Sequence, residues 1–278
     1  NPYSSEDENL RNEARDQIDN WKTEQEQLKA KKKRLAEAKR KAETEKKNRK
    51  RLAALKIKPE TSTGPRGRDG QVNVLYWQAP STMNPYLSVG TKELEASSVV
   101  LEPLGRYDEN GNLLPWLAVE IPTVENGGVA KDLTSITWKI KKGIKWSDGS
   151  ALTADDAVFT YEYCTNPDTG CTATNYYKDI QSVKALDSHT VKITFTVAKP
   201  FPYATFVGYN SPILQKAQFD GCQGAKAQEC TEQNFNPIGT GPFKVVDFKP
   251  NDVIVFEANP YYRDASKPAF GKLVFKGG

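Results

Sequence analysis

The chain has a single histidine, a single methionine and only four cysteines in 278 residues. With one histidine, a Ser-His-Asp or Cys-His arrangement could form only around His189. That residue sits in Leu186-Asp-Ser-His-Thr190, which reads as a turn between two strands. No run of about 18 apolar residues exists, so nothing reads as a membrane span. No Gly-x-x-x-x-Gly-Lys-Ser/Thr string is present either. Gly239-Thr-Gly-Pro-Phe243 lacks that layout and opens a strand rather than a helix, so it is not a phosphate loop. Asp155 and Asp156 fall in the first turn of a predicted helix, where carboxylates complement the dipole. They do not read as a catalytic pair. The expectation is therefore no enzyme: no catalytic residue, no cofactor and no metal.

The four cysteines form two local pairs. Cys164 and Cys171 bracket Thr-Asn-Pro-Asp-Thr-Gly, and Cys222 and Cys230 bracket Gln-Gly-Ala-Lys-Ala-Gln-Glu. Each pair can close a short ring in a polar loop. Free thiols and a zinc site are the alternatives. Zinc is disfavoured because neither pair has CxxC spacing and histidine is almost absent. Two disulfides imply an oxidising, extracytoplasmic compartment. The chain also begins at Asn1 rather than Met, as an exported protein stripped of its signal peptide would.

Charge and aromatics divide the chain. Residues 1–60 hold 18 Lys/Arg against 12 Asp/Glu, and few aromatics besides Tyr3 and Trp21. The remainder is mildly acidic and holds nearly all the aromatic and β-branched residues, so the core belongs there. Residues 6–57 read as one long helix, because Ala, Leu, Glu, Lys, Arg and Gln dominate and neither Pro nor Gly interrupts them. Its length would be roughly 75–80 Å. Pro59 and the stretch from Thr61 to Gly70 then read as a linker. The predicted organisation is a helical arm over 1–60, a linker over 61–70 and a folded lobe over 71–278.

Three readings of the arm stay open. It is a solvated helix held by i,i+4 charge pairs, or a helix that docks on a partner protein through Trp21, Leu28 and Leu35, which lie seven apart. The third is attachment to an anionic membrane surface through the basic run from Lys29 to Arg51, without spanning the bilayer. No nucleic-acid partner is expected, since no aromatic interleaves that run.

Within the lobe, Ile136, Trp138 and Ile140 alternate with polar residues, the period of a half-buried strand. Ser147-Asp-Gly149 is a turn. Thr153 and Asp156 then have capping-box spacing for a helix that buries Val158 and Phe159. Val72 to Tyr76 predicts a central first strand. Ser88 or Thr91 could cap a helix over 93–101. Trp116, Trp138 and Trp146 read as structural residues.

The string from Thr137 to Tyr161 resembles the hallmark segment of the family-5 extracytoplasmic solute-binding proteins. So do Met83-Asn-Pro-Tyr-Leu87, Glu102-Pro-Leu104 with Pro115-Trp-Leu-Ala118, the paired strands from Val183 to Val197, Pro237-Ile-Gly-Thr-Gly-Pro-Phe243 and Asn259-Pro-Tyr-Tyr262. They follow one another in the family's order over roughly 68–278. The resemblance implies an α+β or α/β fold, a mixed β-sheet lobe of the type II periplasmic-binding-protein kind. It implies binding of a peptide-like solute for an ABC permease. The loop after the first strand and the region of Gly208-Tyr-Asn210 would line the cleft. The implied ligand-binding residues are Trp77, Gln78, Tyr86, Ser88, Val89, Gly90, Thr91, Tyr209 and Asn210. Family members have two lobes, and this chain reaches only the first. A fragment of a receptor and a half-protein serving as an assembly subunit both remain open.

Overall fold

The structure, a computed structural model, describes residues 65–277. The arm expected over 6–57, with Trp21, Leu28 and Leu35, lies outside the described residues.

The larger sheet takes its strands from both ends of the lobe. β1 (Gln71–Tyr76) pairs in parallel with β9 (Lys272–Gly277). β9 pairs antiparallel with β8 (Val253–Ala258), which forms a hairpin with β7 (Phe243–Lys249). The sheet is mixed, as expected, in the order β1-β9-β8-β7. A two-stranded ribbon, β2 (Gly105–Tyr107) with β3 (Leu113–Pro115), lies between β1 and the next sheet in sequence. That sheet has the order β4-β6-β5: β4 (Ser135–Lys139), β5 (Ile180–Asp187) and β6 (Thr190–Phe195). Ile136 and Trp138 are buried on one face of β4 while their neighbours are more exposed, the alternation the sequence predicts. His189 sits in the β5–β6 turn, where its backbone N–H donates to Asp187 Oδ1 at 2.7 Å.

The first strand is not central. β1 is an edge strand, and Leu75 is 75% exposed. Its apolar run misled because only Val74 and Tyr76 turn towards the core, where they pack beside the buried cluster. Four short helices complete the lobe: α1 (Thr91–Ser97), α2 (Ala154–Thr165), α3 (Lys216–Phe219) and α4 (Thr231–Phe235). α1 starts and stops earlier than the expected 93–101. Its N-cap is Gly90, with no side-chain cap. Beyond Ser97 the carbonyls of Val99 and Val100 turn away to accept N–H groups of Phe243 and Gly241, so the helix cannot continue through them.

α2 begins as its sequence predicts. Thr153 is the N-cap, and its N–H donates to Asp156 Oδ2 at 2.9 Å. Asp156 Oδ1 accepts the Lys216 N–H at 2.9 Å, which ties α2 to α3. Burial pushes the Asp156 carboxyl above its ordinary pKa, although these N–H donors oppose the shift. Its role is structural, and Phe159 and Tyr163 bury the same helix in the core. Val158, half-buried, packs against the same core from its edge.

Both expected disulfides are present, Cys164–Cys171 and Cys222–Cys230. Their loops pack on each other: the Gly224 N–H donates to Thr169 Oγ1 at 3.0 Å. A ring this short restricts the unfolded chain by about 2–3 kcal/mol on the loop-entropy model. Peptide mass mapping without reductant is expected to recover both links, and replacing Cys222 and Cys230 with Ser to destabilise the lobe by about that amount. Four alkylatable thiols in the native protein would refute the pairing.

Candidate functional site

Four of the sequence motifs meet at one carboxylate. Glu102 is buried. Its Oε1 accepts the Trp116 indole N–H at 2.7 Å. Its Oε2 accepts the Thr240 hydroxyl at 2.8 Å and the Arg263 guanidinium at 2.7 Å. Trp116 comes from Pro115-Trp-Leu-Ala118, Thr240 from the Gly-rich loop, and Arg263 directly follows Asn259-Pro-Tyr-Tyr262. A buried carboxylate needs this many donors to offset its lost hydration.

The glycines of that loop have a steric reason. A Cβ on Gly239 would lie 1.9 Å from the Val100 carbonyl oxygen, and one on Gly241 2.5 Å from that of Val99. The Gly241 N–H instead donates to Val100 O at 2.8 Å. Asn259, fully buried, donates its Nδ2 to Gly241 O at 2.8 Å. The loop is thereby pressed onto Val99 and Val100, just past α1, which sets Thr240 against Glu102.

Trp116, held this way, forms one wall of a cavity of about 680 Å³. Tyr107, Tyr176, Tyr203 and Tyr209 contribute further rings, and Arg106 and Asn210 polar edges. The Arg106 guanidinium lies 4.1 Å from the Trp116 ring centre and that of Arg263 4.9 Å. Tyr203 is fixed by donating its hydroxyl to Pro122 O at 2.7 Å. Burial pushes the Tyr107 and Tyr203 hydroxyls above their ordinary pKa, so they remain protonated donors at neutral pH.

A strained turn presents Tyr209 and Asn210. Phe206 has φ +60°, a rare conformation for a bulky residue. Its N–H donates to Ser211 Oγ at 2.9 Å, and its carbonyl accepts the Leu104 N–H at 2.8 Å. Gly208, with φ +76°, completes the reversal. Tyr209 is left 45% exposed at the cavity.

The expected ligand residues divide. Tyr209 and Asn210 line the cavity. Trp77, 67% exposed, and Gln78 do not. Trp77 packs edge-on against Tyr76, whose hydroxyl donates to Glu95 on the cavity wall, so the end of β1 lies one residue from the cavity. Ser88, Val89, Gly90 and Thr91 form the entry to α1 outside it. There the Glu93 carboxylate lies against Gly90 and accepts the N–H and hydroxyl of Ser81. Burial alone would raise its pKa, but the Lys92 ammonium and Ser81 hold it below the usual value.

Tyr86 is in the core rather than at a surface. Its hydroxyl donates to Pro212 O and meets the Tyr177 hydroxyl at 3.0 Å. The Asn84 side chain beside it bonds Tyr163 and Asn234, which explains the buried Met83-Asn-Pro turn. Trp138 and Trp146 are core residues as expected, whereas Trp116 is a wall of the cavity. Its setting depends on Arg106, Thr240 and Arg263, which no local pattern connects to it.

The family model for bacterial extracellular solute-binding proteins, family 5 Middle, matches residues 112–277. The chain belongs to this family. A probable ABC transporter-binding protein of Deinococcus radiodurans is 28% identical to this family-5 chain over 200 residues, 69% of this chain and 33% of that protein. The solved structure of the oligopeptide-binding protein AppA from Bacillus subtilis, in complex with a nonapeptide, superposes with a TM-score of 0.68 at 27% identity. It covers 77% of this chain and 41% of AppA. NikZ from Campylobacter jejuni, in complex with Ni(L-His), superposes at 0.63 with 28% identity, covering 76% and 39%. The chain thus spans roughly a third to two fifths of the length of the relatives it matches.

Proposed function

We propose that the chain supplies the first lobe of an extracytoplasmic receptor that holds a peptide-like solute for an ABC permease. The cavity beside Trp116 is its contribution to the binding site. The observation that carries this reading is the cavity itself. Its volume of about 680 Å³ falls within the range of small-molecule sites, and its walls pair aromatic faces with a few polar edges. Tyrosine rings of this kind hold a main-chain-like ligand with little loss of side-chain freedom. Membership of a solute-binding family and the likeness to a protein solved with a nonapeptide support it. The two disulfides fit an exported protein. In this reading a further lobe outside the sequence given closes over the cavity.

Isothermal titration with short peptides tests the reading. Tyr209→Ala is expected to weaken binding about tenfold, because it removes an aromatic face from the wall. Its exposed position predicts little change in melting temperature. Peptides that bind the variant as tightly as the unaltered chain would displace the site from this cavity.

A further inference from the structure

Among the described residues Arg106 is the one cation that lines the cavity, and no carboxylate is paired with it. It is exposed, and its contact is the face of the Trp116 ring, 4.1 Å from the centre. Stacking occupies the face of a guanidinium and leaves its N–H edge directed outwards, in the fork geometry that matches a carboxylate. Arg263, against the same ring, is in a different state. Its guanidinium is bound to Glu102 at 2.7 Å.

The acids nearby are already engaged. Glu102 is shared among Trp116, Thr240 and Arg263. Glu95 accepts the Tyr76 hydroxyl. Asp264 Oδ1 accepts from Ser266, and its Oδ2 lies 3.8 Å from the Lys267 ammonium. Lys141 adds a further cation by donating its ammonium to the Trp116 carbonyl at 2.8 Å. Around this cavity three cations, Arg106, Lys141 and Arg263, are therefore set against two carboxylates, Glu95 and Glu102. That excess favours an anion, and Arg106 is the one of the three that lines the cavity, with its N–H groups free to bind it.

We propose that Arg106 is the carboxylate-recognition residue of the cavity, taking either the terminal carboxylate or an acidic side chain of the bound solute. The inference rests on the solute-binding reading and narrows it to carboxylate-bearing ligands. Stacking on Trp116 holds the guanidinium ready before the ligand arrives, which reduces the ordering cost of binding. The Glu102 cluster holds the tryptophan in turn.

The test is calorimetric titration of the chain with three probes: trialanine, its C-terminal amide, and the amide of Ala-Glu-Ala. At least one carboxylate-bearing probe is expected to bind roughly tenfold more tightly than trialanine amide, the strength of a charge-assisted hydrogen bond. Preference for trialanine assigns Arg106 to the chain terminus, and preference for Ala-Glu-Ala amide to a side chain. Arg106→Gln is expected to bring the three probes within about twofold of one another by removing that bond. Arg106→Lys should retain part of the preference. Equal binding of all three probes to the unaltered chain overturns the inference and leaves the solute-binding reading standing. A preference that survives Arg106→Gln overturns it too. Failure of every probe to bind removes the solute-binding reading, and the inference falls with it. Arg106 is exposed, so both variants should fold, and unchanged melting curves verify this.

Discussion

Glu102→Ala is expected to lower the melting temperature of the lobe by roughly 10 °C or more. Removing the carboxylate strips three donors of their acceptor at once: the Trp116 indole, the Thr240 hydroxyl and the Arg263 guanidinium. Arg263 suffers most, because it is largely buried and would keep its charge without a counter-ion. Breaking a buried pair by deleting one partner costs about 3–5 kcal/mol. In a domain of this size each kcal/mol moves the midpoint by about 2–4 °C. Glu102→Gln keeps one acceptor and is expected to fall between the two. Calorimetry checks this, and a shift below about 3 °C for Glu102→Ala would mean that the cluster does not hold the lobe together. The same variant should also loosen Trp116 and so weaken any solute that packs on it.

Gly239→Ala should be as damaging through a wholly different force. One added methyl would sit 1.9 Å from the Val100 carbonyl oxygen and 2.5 Å from its carbon. Both are backbone atoms, so no side chain can swing aside. The loop must lift off Val100, which breaks the Gly241 N–H bond to Val100 O and the Ser147 N–H bond to Gly239 O. Overpacking typically costs about 1–3 kcal/mol, and two lost backbone bonds add to it. The expected result is poor soluble yield or a midpoint lowered by about 5–10 °C. Gly127→Ala is the contrasting control. A Cβ there meets nothing within 4 Å, and its cost is confined to the positive φ of +74°. If Gly239→Ala melts no lower than Gly127→Ala, the close approach is not what fixes the glycine.

Local order was legible in the sequence because its causes are local. Alternation in β4, the Thr153–Asp156 capping box and two cysteine pairs seven and eight residues apart each declare themselves within one turn or strand. The site was much less legible. Glu102 and Arg263 are 161 positions apart, and the Val100 carbonyl receives its donor from Gly241. Nothing in the flanking residues says whether a tryptophan faces a cavity or the core, so Trp116 reads as structural like Trp138. The apolar run of β1 suggested a central strand, but an edge strand with one half-buried face yields the same pattern. Tyr86 fell in a loop that the resemblance placed at the cleft. Its hydroxyl is instead used up inside, by Pro212 and Tyr177.

Arg66 sits in a stretch whose glycines, proline and charges suggest nothing but a tether. Its guanidinium donates to four main-chain oxygens, those of Asn259, Tyr262, Asp264 and Lys267, at 2.6–3.0 Å. One side chain therefore serves as the clasp for a loop about 200 positions away, just before β9 enters the sheet. The consequence concerns where the lobe can be cut. A protease that trims the chain before Pro65 leaves the clasp closed. Cleavage two residues later, after Arg66, cuts the clasp from β1 while sparing every residue of the sheet. The shortest stable form of this lobe is therefore expected to begin by Pro65, inside what composition marks as a linker.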